Sequence, residues 1–315
     1  MIDYVGQWFA IYRQMGEPTD IFFETEKNGI HNLYSFPHEK SDGSGALFKL
    51  AEAKNWKIYN DLPKKIFRKP SKFRSALNVI LFIFWNLPRR RQPWKFKVNK
   101  AHETTTLFSS FGFDLKLSQR LAKKKDSYSL NSLIFYCLNL AVAETFDFDS
   151  SLKSWWIPVN MRPDLGLDVN DNELQKNYVS NFTVSVNHLV QLRDYQNLIT
   201  KYLKQQRHWA TWHWQHIGKL VPEKILEKIL FSKLSSDNYV GTFSNLGQWT
   251  SSDKETQVKM LIPPIRSHPI GASALMWNGQ LNIGLRIYPT FPLSQKNLDN
   301  LMQLWVEKII LKIDP

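Results

Sequence analysis

His38-Glu39-Lys40-Ser41-Asp42-Gly43 closes an alternating run that begins at Ile30. Tyr34, Phe36 and His38 share one face of a strand that ends at the histidine, because successive strand side chains point to opposite sides. Ser41-Asp42-Gly43-Ser44-Gly45 then supplies turn chemistry. Leu47, Leu50 and Ala51 follow at helical spacing, with Asp42 or Ser44 placed to cap the helix. The local order is therefore strand, tight turn, helix, with an imidazole at the strand end four residues before a carboxylate and Gly43 allowing a sharp turn. The residues alone fit two readings: a catalytic histidine on a braced turn, or an Asp-Gly turn after a strand that happens to end in histidine.

Leu130 to Glu144 repeats apolar residues at the spacing of a buried helix face. Trp155 to Asn160 reads as a buried strand ended by Met161-Arg162-Pro163, and Val179 to Asn187 as an alternating strand. A long helix is expected from Gln191 to about His216, and Pro222 opens a shorter one. Tyr239 to Asn245 reads as a strand running into the turn Leu246-Gly247. Ile270 to Trp277 and Gln280 to Ile287 form a hairpin around Asn278-Gly279, and a helix from Ser294 closes the chain. Strands mixed with helices, and no internal repeat, point to a layered α/β or α+β fold.

The 315 residues are 43% apolar and 14% aromatic, enough for a packed core. The single cysteine, Cys137, lies inside the apolar helix and reads as a buried thiol. A net charge of +13 favours nucleic acid, an acidic membrane surface or a phosphate-bearing cofactor such as coenzyme A. Nucleic acid rests on charge alone, since no nucleic-acid-binding signature is present. The densest basic stretch, Lys64 to Lys100, flanks the apolar run Ala76 to Leu87. It reads either as a segment lying on an anionic membrane or as a solvated basic loop around a core helix. The N-terminus lacks the pattern of a secretory signal, and no run approaches the ~20 apolar residues of a membrane span. A cytoplasmic protein is expected; on the first of these readings it also makes peripheral contact with the inner membrane surface through residues 64–100. His213 and His216 stand i, i+3 on a helix, but the sequence offers no nearby carboxylate, so no metal is assigned. The surrounding tryptophans suit packing or the lining of an apolar tunnel.

The His38 segment resembles the HHxxxDG motif of the superfamily that includes chloramphenicol acetyltransferase, nonribosomal peptide condensation domains and wax ester synthases. Further segments match in order. Pro158-Val159-Asn160-Met161-Arg162-Pro163 is similar to the PVNLRP strand end of the wax-synthase-like branch, and Asn177 to Thr183 to the asparagine-containing strand after it. Ser244-Asn245-Leu246-Gly247 resembles the SNLG turn late in these proteins. Asn131 sits where the branch carries Asn-Asp, with Ser132 in place of the aspartate, and Pro37 replaces the first histidine of the motif. The resemblance implies a two-lobed α/β fold with mixed sheets flanked by helices. It also implies a lobe boundary, with residues 1–98 forming an incomplete N-terminal lobe and 99–315 a C-terminal lobe. Relatives carry before the motif a strand, a helix and an arginine that salt-bridges the motif aspartate; 37 residues precede His38 here, and Arg13 or Arg162 is the candidate replacement.

By the same resemblance, His38 is the general base that deprotonates a hydroxyl or amine acceptor for attack on an acyl-coenzyme A or acyl-carrier-protein thioester, with no tightly bound cofactor. Histidine's ordinary pKa of ~6.5 suits that task. Asp42 is then a structural brace beside Gly43, Ser244 and Asn245 are candidate oxyanion donors, and Arg162 and Asn160 are candidate substrate contacts. The alternative is an inactive relative that binds a lipid surface or a protein partner. A partner subunit could complete the N-terminal lobe.

Overall fold

The strand, turn and helix around His38 form as their pattern predicts: β2 (Ile30–Pro37) stops one residue before the histidine, and α2 (Gly43–Ala53) begins after Asp42, whose carboxylate accepts from the Gly45 N–H. The computed structural model describes residues 4–60, 69–86, 106–123, 128–149, 151–168, 175–217, 221–234 and 239–313. Residues 64–68 and 87–100 of the basic stretch, and residue 98 at the expected lobe boundary, lie outside them.

Ahead of the motif stand α1 (Tyr4–Gln14) and β1 (Asp20–Lys27). β1 and β2 form a hairpin in continuous register from Asp20↔Pro37 to Lys27↔Ile30. Its turn is Asn28-Gly29, both at positive φ, which matches the twist of the flanking strands. The outer partner of β1 is β8 (Gln257–Leu261), giving a three-stranded sheet ordered β2-β1-β8. The larger sheet runs β4 (Leu107–Gly112), β10 (Gln280–Ile287), β9 (Ile270–Trp277), β7 (Gly241–Ser251), β5 (Lys153–Asn160), β6 (Val179–Val186), and β3 (Ile58–Asn60) pairs with the far half of β7. Each sheet thus takes a strand from the other side of residue 98. β8 crosses close over β10, where a Cβ on Gly284 would meet the Met260 carbonyl at 2.4 Å, so only glycine fits.

Two expectations are corrected. The strand expected to end at Asn245 continues through Ser-Asn-Leu-Gly as β7, absorbing the turn as a bulge between Asn245 and Gln248, with Gly247 at φ 81°. The long helix expected to His216 is two, α7 (Leu192–Lys204) and α8 (Arg207–Ile217), broken where Gln206 takes φ 58°. The break redirects α8 onto β6, where Ser180 Oγ donates to the His208 carbonyl.

α5 (Leu130–Thr145) and α10 (Gln295–Ile313) bury their apolar faces against the large sheet. Trp305 Nε1 donates to the Ile134 carbonyl, and burial pushes the Cys137 thiol up to about 12. α2 packs Leu47, Leu50 and Ala51 against Phe23, Met260 and Trp277 of the neighbouring strands. A third cluster sets Trp8, Ile11 and Tyr12 of α1 on Leu226 and Leu230 of α9 (Glu223–Leu234). At ~1.5–3 kcal/mol for each large side chain fully buried, these contacts anchor α1 over the region in front of His38. Among the described residues, no helix is long and apolar enough to cross a membrane.

Candidate active site

Asp42 is where the turn is fixed. Its carboxylate accepts from Arg162 Nη1 at 2.8 Å and Nη2 at 3.0 Å, from Gly45 N at 2.9 Å and from Tyr178 N at 2.7 Å. Arg162 opens the short helix α6 (Arg162–Leu165) and is fully buried. It also donates to the Lys176 carbonyl and to Asn160 Oδ1. Of the two candidates for the arginine that meets the motif aspartate, it is therefore Arg162. Arg13 bonds Asp20 and Glu39 instead, tying α1 to the hairpin and to the residue after His38.

Arg162 was expected to contact substrate, but it is buried and bonded to Asp42, which gives it a bracing role; Asn160 accepts from Arg162 N and Nη1 through its Oδ1, and neither residue is among those lining the cavity. Gly43 is corrected as well. It is the first residue of α2, packed near the Leu246 side chain, and the glycine that a close approach requires is Gly45, whose Cβ would meet the Gln175 carbonyl at 2.4 Å.

The segment that Asp42 holds through Tyr178 also holds the histidine. Asn177 Nδ2 donates to the His38 carbonyl at 2.7 Å, and its Oδ1 lies 3.1 Å from His38 Nδ1. A carbonyl can only accept, so the amide is oriented with Oδ1 toward the ring, and His38 Nδ1 carries the proton. Nε2 is then the basic nitrogen. Phe9 of α1 stacks on the imidazole at 3.6 Å between centroids with planes 10° apart, fixing the ring from one face. Asn177 and Phe9 were not read from the sequence. The Asn177–Thr183 resemblance held the first signal; nothing local marks the second.

His38, Asp42 and Gly43 line a cavity of about 450 Å³ between the two sheets, α1, α8 and α9. Its walls are largely apolar: Trp8, Phe9, Ile21, Trp156, Trp214 and Leu230 among others. Ser244 lines it; Asn245 is not among the lining residues, and its Oδ1 accepts from the Gly247 N–H. Thr19 lines the cavity too, and its buried Oγ1 has no hydrogen-bond partner among the described residues. The register Asp20↔Pro37, continued by one residue, sets Thr19 opposite His38 on the same face as Ile21. His268 and Ser267 line another part, with Ser267 Oγ 2.9 Å from His268 Nδ1 and the His268 ring packed against Trp156 and Tyr239.

The tryptophan-rich helix α8 contributes Thr211, Trp214 and Gln215 to the lining. Asp164 of α6 accepts from Trp209 Nε1 and lies 2.9 Å from His208 Nε2. Burial first, then the neighbouring His216 and Lys69, holds His213 below the ordinary histidine value.

No family model and no curated protein matches the chain. Solved structures do. The epimerization domain from the third module of tyrocidine synthetase B superposes with a TM-score of 0.57 at 15% identity, over 90% of this chain and 69% of that one. The EpoB cyclization-docking bidomain from Sorangium cellulosum gives 0.58 at 11% identity, over 90% and 60%. The first condensation domain of the calcium-dependent antibiotic synthetase, in complex with a substrate analogue, gives 0.57 at 11% identity, over 93% and 68%.

The chain has the condensation-domain fold. It spans about two thirds of the length of these domains. The two-lobed α/β architecture implied by the His38, Arg162 and Ser244 segments is thus the one observed.

Proposed function

We propose that this protein is an acyltransferase that moves an acyl group from a coenzyme A or carrier-protein thioester to a hydroxyl or amine acceptor, with His38 as general base. The observation that carries the reading is the clamp of Asn177 on His38, which commits Nδ1 and leaves Nε2 basic in a histidine lining an apolar cavity. Nε2 takes the acceptor's proton as its oxygen or nitrogen attacks the thioester carbon. The C–S bond of the tetrahedral intermediate then breaks, and the departing thiolate receives the proton from the imidazolium. The hydroxyls of Ser244 and Thr19 are the donors offered to the oxyanion. A cavity of about 450 Å³ falls in the ~300–1,000 Å³ range of small-molecule sites. The starter condensation domain of rhizomide synthetase, TM-score 0.54, was solved in complex with C8-CoA, which supports a donor of that kind.

The test is thiol release from short- to long-chain acyl-coenzyme A esters with alcohol and amine acceptors, repeated with a carrier-protein thioester, for the wild type and His38→Ala. Acceptor-dependent release that the substitution abolishes supports the reading. Equal background release with every donor overturns it and leaves a binding module.

A further inference from the structure

The positive charge of this protein belongs to one segment. Residues 62–102 hold 12 lysines and arginines and no aspartate or glutamate. The whole chain has 41 basic and 28 acidic residues, so outside the segment 29 basic residues face 28 acidic ones, a net of +1 against +13 overall. Six of the twelve, Lys64 to Arg74, precede or open α3 (Lys72–Asn86), and the other six, Arg89 to Lys100, follow it.

α3 itself has two faces. On its inner side Asn78 is fully buried, and the helix packs against α8. On its outer side Phe73 is 81% exposed and Ile80 56%, with Ala76 exposed between them. The spacing i, i+3, i+7 places the three on one stripe facing water. A core helix carries its apolar stripe inward and its charges outward; here apolar residues point outward in the middle of the basic segment. A polyanion such as nucleic acid would use the charges and have no use for the stripe. A lipid surface uses both, burying apolar side chains at the headgroup and acyl boundary while lysine and arginine meet the phosphates.

We propose that α3 is a docking surface for an anionic lipid bilayer, with Phe73, Ala76 and Ile80 inserted and Lys69 and Arg74 among the residues that meet lipid phosphates. The bilayer then lies against a helix that packs on α8, and α8 contributes Thr211, Trp214 and Gln215 to the cavity wall. A lipid-soluble acyl donor or acceptor is brought beside the cavity in this way.

The test is sedimentation of the full-length protein with vesicles of phosphatidylcholine alone and of phosphatidylcholine mixed with phosphatidylglycerol, over a range of salt. The protein should pellet with the anionic vesicles and release as salt rises. Lys69→Gln and Arg74→Gln should each weaken binding by ~fivefold, the effect of one basic residue at such a surface. Phe73→Asp with Ile80→Asp should weaken it at least ~tenfold. Because both side chains are exposed, circular dichroism and melting of that variant should match the wild type, which separates lost binding from lost folding. Equal pelleting with neutral and anionic vesicles overturns the proposal. So does binding that the aspartate pair leaves unchanged, or DNA or acidic-protein retention sensitive to the charge variants alone, since either assigns the segment to a polyanion. No acyl substrate enters the measurement, so its outcome is independent of the transferase reading.

Discussion

Replacing Arg162 with methionine removes the guanidinium from a fully buried pair and leaves the Asp42 carboxylate with only the Gly45 and Tyr178 N–H groups. Side-chain exposure is 1% for Arg162 and 5% for Asp42, so water cannot replace what is lost. Breaking a buried pair by removing one partner costs ~3–5 kcal/mol, a large share of the ~5–15 kcal/mol by which a domain is stable. For a chain of this size a kcal/mol corresponds to ~2 °C, so the melting temperature should fall by ~6–10 °C. Lys308→Ala is the control. It breaks a pair with Glu144, whose side chain is 59% exposed, and should move melting by ~2 °C at most. Thermal unfolding by circular dichroism reads both. Asp42→Asn combined with Arg162→Met should cost less than the sum of the singles by ~1–3 kcal/mol, because the second substitution removes a partner already lost. An Arg162→Met variant that melts within ~2 °C of wild type would refute the claim that this pair braces the His38 turn.

Asn177→Leu removes the group that selects the His38 tautomer while keeping the branched heavy-atom shape; kcat for acceptor-dependent thiol release should fall roughly tenfold or more, and an unchanged kcat would show that the ring is oriented otherwise. Cys137, fully buried with its thiol pushed up to about 12, should resist iodoacetamide at pH 8 in the native protein and react fully in denaturant, and rapid native labelling would contradict its burial. His213 is held below its ordinary value, so the unfolded chain takes up the proton first as pH falls. The stability its neutral form contributes is present above the unfolded pKa of ~6.5 and lost as pH drops through the lower folded value. His213→Gln should therefore lose less melting temperature than wild type between pH 7.5 and pH 5, and an equal or larger loss would sink this account.

Much of the framework was legible from local pattern. The Asn278-Gly279 turn located the hairpin at Ile270–Trp277 and Gln280–Ile287 to the residue, because a two-residue loop fixes both geometry and register. Apolar spacing located α5, and Asp42 before an apolar repeat located the start of α2. Each of these signals is carried within a few residues of one another along the chain. The break at Gln206 was not legible, since a glutamine at positive φ has no sequence mark and the apolar period runs on across it. Nor was the bulge in β7, because Ser-Asn-Leu-Gly offers the same residues to a turn as to a strand whose neighbours hold it straight.

The strand, turn and helix that present His38 follow from neighbouring residues, because alternation, turn residues and a cap are all local. Packing of distant segments fixes which arginine meets Asp42, that Asn177 sets the tautomer of His38, that Phe9 covers the ring and that Thr19 lies across from it. Those partners stand 120, 139, 29 and 19 residues away in the chain. Their approach depends on how β1, β2, α1 and α6 pack around one cavity, and no local signal carries that information.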